Sequence, residues 1–141
     1  MRPQSATGPH PYLRAYMAGI TIPTAFLLVI LAVFVAIHQV YQGPLPVDRV
    51  LVFPMAIAPN LWGAWNMLYV AIRRRRHWPL GTHGVLLALM VGPSAWAIAH
   101  TLGVPNATVD RAIVAYPFGV AVYYLVWKYG VRRLNEILGI G

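Results

Sequence analysis

The stretch AGITIPTAFLLVILAVFVAIHQVY, residues 18–41, decides the fold: it holds no Asp, Glu, Lys or Arg, inside a wider uncharged interval between Arg14 and Asp48. As a helix rising 1.5 Å per residue, such a run covers a hydrocarbon core of about 30 Å. It is far longer than the roughly 7 to 15 apolar residues of a signal-peptide core and lacks a convincing small-x-small cleavage site, so it reads as a retained anchor. Further apolar runs lie at residues 50–72, 84–104 and 112–131. Together they predict an all-α integral membrane protein with four transmembrane helices over residues 18–141, after a polar tail over residues 1–17. The linkers leave no room for another domain.

Composition points the same way, with 59% hydrophobic and 10% charged residues in a chain of 141. The formal charge of +8 would mark a nucleic-acid surface on a soluble chain, but here the basic residues stand at the ends of apolar runs, so no nucleic-acid partner is expected. The absence of cysteine excludes disulfides, thiolate metal sites and a Cys nucleophile.

Charge placement sets the orientation. Arg2, Arg14, Arg73, Arg74, Arg75, Arg76, Lys128, Arg132 and Arg133 fall on the side of the two termini and the middle loop, whereas the other loops carry Asp48 with Arg49 and Asp110 with Arg111, which cancel. Basic residues in short loops stay cytoplasmic, so both termini are expected inside. The localisation that follows is a bacterial inner membrane, with Tyr69, Trp78 and Trp127 as interfacial anchors near the inner boundary.

An ungapped shift of 62 residues superposes His38 on His100, Val47-Asp48-Arg49 on Val109-Asp110-Arg111 and Trp65 on Trp127. Coincidence among such rare types predicts two tandem two-helix hairpins in parallel repeat, related by a pseudo-twofold axis along the membrane normal. Each copy then carries a His on the last turn of its odd helix and Asp-Arg at the start of its even helix. One reading makes the Asp a helix cap that complements the dipole, the Arg an interface marker and the His a polar end residue. The other makes Asp48 and Asp110 orient His38 and His100, which serve as ligands, proton relays or a quinone contact. A bis-His haem is the cofactor that pair would hold. No metal site is expected, since two His fall short of the four ligands of a closed zinc site.

Every span contains proline: Pro23, Pro54 and Pro59, Pro93, and Pro117. Pro59-Asn60 and Pro93-Ser94 lie near mid-depth, each a helix breaker followed by a polar residue and soon by a Trp. Interrupted helices at that depth expose backbone to a solute, which makes Asn60, Ser94, Trp62, Trp65 and Asn66 the candidate substrate-binding set. Packing offers an alternative account, with Ala56, Asn60 and Ala64 on one close-packing stripe, Asn60 as interhelical donor, and the indole N–H groups of Trp62 and Trp65 partnered inside the bundle. Arg73, Arg74, Arg75 and Arg76 mark topology and attract anionic lipid headgroups at roughly 1 kcal/mol per charge.

No phosphate-binding loop, paired carboxylates or Ser-His-Asp set is present, so no catalytic residues are assigned. The leading expectation is a four-helix bundle, assembled as a homo-oligomer, that binds or passes a small solute between proline-broken helices in a channel- or transporter-like way. The alternatives are a membrane redox subunit built on His38 and His100, and a non-catalytic subunit of a larger membrane complex.

Overall fold

The computed structural model describes residues 10–41, 53–73, 78–101 and 109–140. These residues are helical almost throughout, with no strand among them. Helix α1 spans Pro11–Tyr41, α2 Phe53–Ile72 and α3 Leu80–Thr101. Helix α4, Val109–Leu125, runs through a π-helical turn at Val126–Val131 into α5, Arg132–Ile137, and both flanking residues, Leu125 and Arg132, keep right-handed helical dihedrals.

Helix α1 begins inside the stretch that composition assigns to the polar tail. Proline suits a first helical position because its missing N–H needs no partner there. The extra turns also bury Ala15. Among the described residues two helices are long and apolar enough to cross a membrane, Pro11–Val40 and Leu80–Ile98. Pro23, Pro59, Pro93 and Pro117 all lie within continuous helices rather than at breaks. Each deletes one N–H and so releases the carbonyl four residues earlier, a local loss that the rest of the ladder tolerates.

Helix α1 packs along α2, and α3 packs along α4. In the first pair the contact is backbone to backbone: a Cβ on Gly19 would stand 2.6 Å from the Trp62 carbonyl oxygen and 2.8 Å from the Gly63 Cα. Such closeness is available to glycine alone and multiplies dispersion contacts between helices. The stripe of Asn60 and Ala64 is exposed instead.

The two pairs join at the end that holds the basic residues. Trp62, Leu87, Trp127 and Val131 form the main buried cluster, with Trp62 tilted against Tyr123 at 5.0 Å and against Trp127 at 5.5 Å between ring centroids. A smaller cluster of Ala15, Val70 and Ile140 closes the extreme end, where the Arg14 guanidinium donates to the Leu138 carbonyl. Trp127, expected as an interfacial anchor, is fully buried. Gly84 makes the room for it, since a Cβ there would lie 2.7 Å from the indole.

The π turn explains how Trp127, Val131 and Asn135 all face inward. In an α-helix of 3.6 residues per turn, each step of four residues overshoots by about 40°. A wider π turn absorbs that drift and keeps the three side chains on one stripe. Away from this end the helices carry bare apolar side chains, among them Phe26 at 64%, Val114 at 80% and Phe118 at 74% exposure.

Candidate functional site

In the packed half the Asn66 and Asn135 amides and the Trp62 and Trp65 indoles find partners, whereas the buried Trp127 Nε1 has none among the described residues. Asn66, fully buried, donates through Nδ2 to the Ala15 carbonyl at 2.8 Å and to Asn135 Oδ1 at 2.8 Å, and its own Oδ1 accepts from Asn135 Nδ2 at 3.2 Å. Both Asn66 amide hydrogens are therefore committed, which removes it from the donors a solute can use. The Trp62 indole N–H reaches the Tyr123 hydroxyl at 3.4 Å, and that of Trp65 donates to the His83 carbonyl at 2.9 Å. These two tryptophans are structural members of the core end.

Asn60 and Ser94 do not share a pocket among the described residues. Asn60 stands in a shallow groove between α1 and α2, of about 230 Å³, beside Tyr16, Thr24 and Pro59, and its Oδ1 accepts the Tyr16 hydroxyl. Ser94 is exposed and turns its hydroxyl back to the Met90 carbonyl of its own helix at 2.9 Å. Such back-bonding satisfies the hydroxyl locally.

A larger groove of about 470 Å³ lies between α3 and α4, bounded by Gly92, Pro93 and Trp96 on one side and by Ile113, Tyr116 and Gly119 on the other. Its volume falls within the roughly 300–1,000 Å³ of small-molecule sites, which the α1/α2 groove does not reach. Its shape follows from two glycines. Gly92 leaves space that the Tyr116 ring occupies, so the Tyr116 hydroxyl crosses to the Ala88 carbonyl at 3.4 Å, while nothing lies within 4 Å of a Cβ placed on Gly119. Pro117 frees the carbonyl of Ile113 on the groove wall.

The groove is lined mainly by apolar surface, with Trp96 at one side. Its indole Nε1 is shielded from solvent and has no hydrogen-bond partner among the described residues. The same ring lies against His100 at 5.4 Å between centroids, tilted by 37°. Trp127 Nε1, in the packed half, is shielded and without a partner among the described residues in the same way, so neither indole N–H is open to a solute as the helices stand.

His38 and His100 are both exposed, and Asp110 sits in the first turn of α4, where it complements the helix dipole. Asp48 and Arg74, Arg75 and Arg76 lie outside the described residues. Arg73 ends α2 and lines a third pocket, at the basic end, with Arg132 and Glu136. Sequence reasoning passed over Trp96, Gly92 and Tyr116 as site residues. The usable signal was Gly92-Pro93 with an aromatic residue one turn on, facing a second proline-adjacent aromatic, Tyr116-Pro117. Comparison with known proteins finds no matching protein family, curated protein or solved structure.

Proposed function

We propose that this chain is a small polytopic membrane protein that binds a small, mainly apolar solute in the groove between α3 and α4, packed against the Trp96 ring. The observation that carries the reading is a mainly apolar groove of ligand size with the Trp96 indole in its wall. Membrane placement is supported by large apolar side chains left bare on α1 and α4 and by basic residues gathered at one end of the bundle. Binding is favoured over passage, because the packed Trp62, Leu87 and Trp127 cluster fills the space between the helix pairs at the basic end.

Native mass spectrometry of the protein taken from its own membranes tests this. The wild-type chain retains a small-molecule adduct, Trp96→Phe weakens it, and Gly119→Leu, which extends a side chain into the open groove, abolishes it. Equal adduct in all three proteins removes the proposal.

A quinone headgroup is the second reading, favoured by the Trp96 and His100 ring pair beside the groove. It supplies a flat ring to lie against the indole and the imidazole. Extraction of the adduct and its ultraviolet spectrum before and after borohydride decides between a quinone and a redox-inert solute.

A further inference from the structure

We infer that the pocket at the basic end, bounded by Arg73, Arg132, Tyr69 and Asn135, binds a phosphate group, carried there by an anionic phospholipid. This pocket of about 310 Å³ forms where the end of α2, the start of α3 and α5 meet, far from the α3/α4 groove. Its charge is unbalanced. The one acid lining it, Glu136, is drawn to Arg132 Nε at 3.0 Å and to Arg133 Nη1 at 3.7 Å, and no carboxylate among the described residues pairs with Arg73. A guanidinium so placed offers its fork of N–H donors to the oxygens of a phosphate.

Neutral donors complete the wall. Asn135 is 3% exposed, and its amide is held in one orientation by the reciprocal pair with Asn66. Tyr69 brings a hydroxyl to the same pocket. Both aromatic walls stand on buried His83, which meets the Tyr69 ring edge-on at 5.0 Å and the Trp78 ring at 6.2 Å, while its carbonyl is tied to Trp65. The site is thus formed before anything binds, and the ordering cost of binding is small.

The rim identifies the source of the phosphate. Trp78, 44% exposed, lies with Pro79 and Leu80 at the mouth, and Leu80 opens one of the two helices apolar enough to cross a membrane. Tryptophan favours the headgroup depth, so a phosphate at Arg73 sets the glycerol and acyl chains beside Trp78 and Leu80. Arg74, Arg75 and Arg76 follow directly in sequence and add attraction for an anionic leaflet. The lipid source rests on the membrane placement proposed above; the phosphate chemistry does not.

The test is calorimetric titration of the full chain in mild detergent with dioctanoyl phosphatidylglycerol, dioctanoyl phosphatidylcholine and inorganic phosphate. Saturable phosphatidylglycerol binding is expected, weakened about tenfold or more by Arg73→Gln and by Arg132→Gln, the scale of one charge-assisted hydrogen bond. Arg133→Gln removes the same charge from outside the pocket and is expected to change affinity less than about threefold, the scale of one exposed charge. Inorganic phosphate that binds as tightly as the lipid supports the phosphate site and moves its source to solution. Equal loss in all three variants, or phosphatidylcholine binding as well as phosphatidylglycerol, overturns the proposal. Failure here with an intact groove adduct leaves the α3/α4 reading standing.

Discussion

The amides of Asn66 and Asn135 pair face to face, 2.8 Å in one direction and 3.2 Å in the other, and a second Asn66 hydrogen reaches the Ala15 carbonyl. One amide pair therefore ties α1, α2 and α5 together inside an apolar surround, where an unmade hydrogen bond is costly.

Removing one member strands the other. Asn66→Ala and Asn135→Ala are each expected to destabilise the fold by about 1–3 kcal/mol, the cost of a buried polar group without a partner. The double variant Asn66→Ala with Asn135→Ala should lose less than the two single losses together, because no amide is left stranded. Reversible unfolding in mixed micelles, followed by circular dichroism, measures all three; strict additivity would show that the pair is not coupled.

Glycine at the α1 crossing is set against glycine in the open groove. Gly19→Ala pushes a methyl into the backbone of Trp62 and Gly63 and is expected to cost about 1–3 kcal/mol as overpacking. Gly119→Ala meets nothing within 4 Å and should stabilise α4 by about 0.5–1 kcal/mol through helix propensity. The same unfolding measurement ranks them, and a neutral Gly19→Ala would contradict the close crossing.

Ser94 provides a negative control for the groove. Its hydroxyl is exposed and bonds its own helix, so Ser94→Ala should leave the retained adduct unchanged and stability within about 0.5 kcal/mol of wild type. Loss of the adduct in that variant would shift the binding site from Trp96 towards Ser94.

Because the chain has no cysteine, single replacements report topology without background. Val109→Cys and Ile137→Cys lie at exposed positions at opposite ends of the α4 to α5 helix. In sealed membranes an impermeant maleimide should label the first from outside and the second after permeabilisation alone, as the charge distribution requires. Labelling of both from one side would mean that this helix does not cross.

Helical class and the approximate helix extents were legible in the sequence because both rest on local properties, the length and apolarity of each run and the polar residues between them. Helix α1 starts at Pro11, inside the stretch read as a polar tail, since composition weighs Tyr12, Leu13, Tyr16 and Met17 together with the polar residues before them, whereas the helix begins at the first backbone position that needs no donor. Pro59-Asn60 and Pro93-Ser94 were legible as special positions, but not the side to which each turns.

Tertiary structure alone decided the partners. Asn66 meets Ala15 and Asn135 across 51 and 69 positions of sequence, distances at which small changes in helix phase redirect a side chain. The π turn at Val126–Val131 is such a change: it carries Trp127 from the expected membrane boundary into the core and brings Asn135 under Asn66. Trp96 stays without a protein acceptor for the same reason, because its surroundings depend on where Gly92 and Tyr116 let α3 and α4 approach. The sequence determined that these helices form and which of their ends is basic; their packing determined which polar groups find partners inside the bundle and which do not, since hydrogen bonding depends on direction and distance that apolarity does not encode.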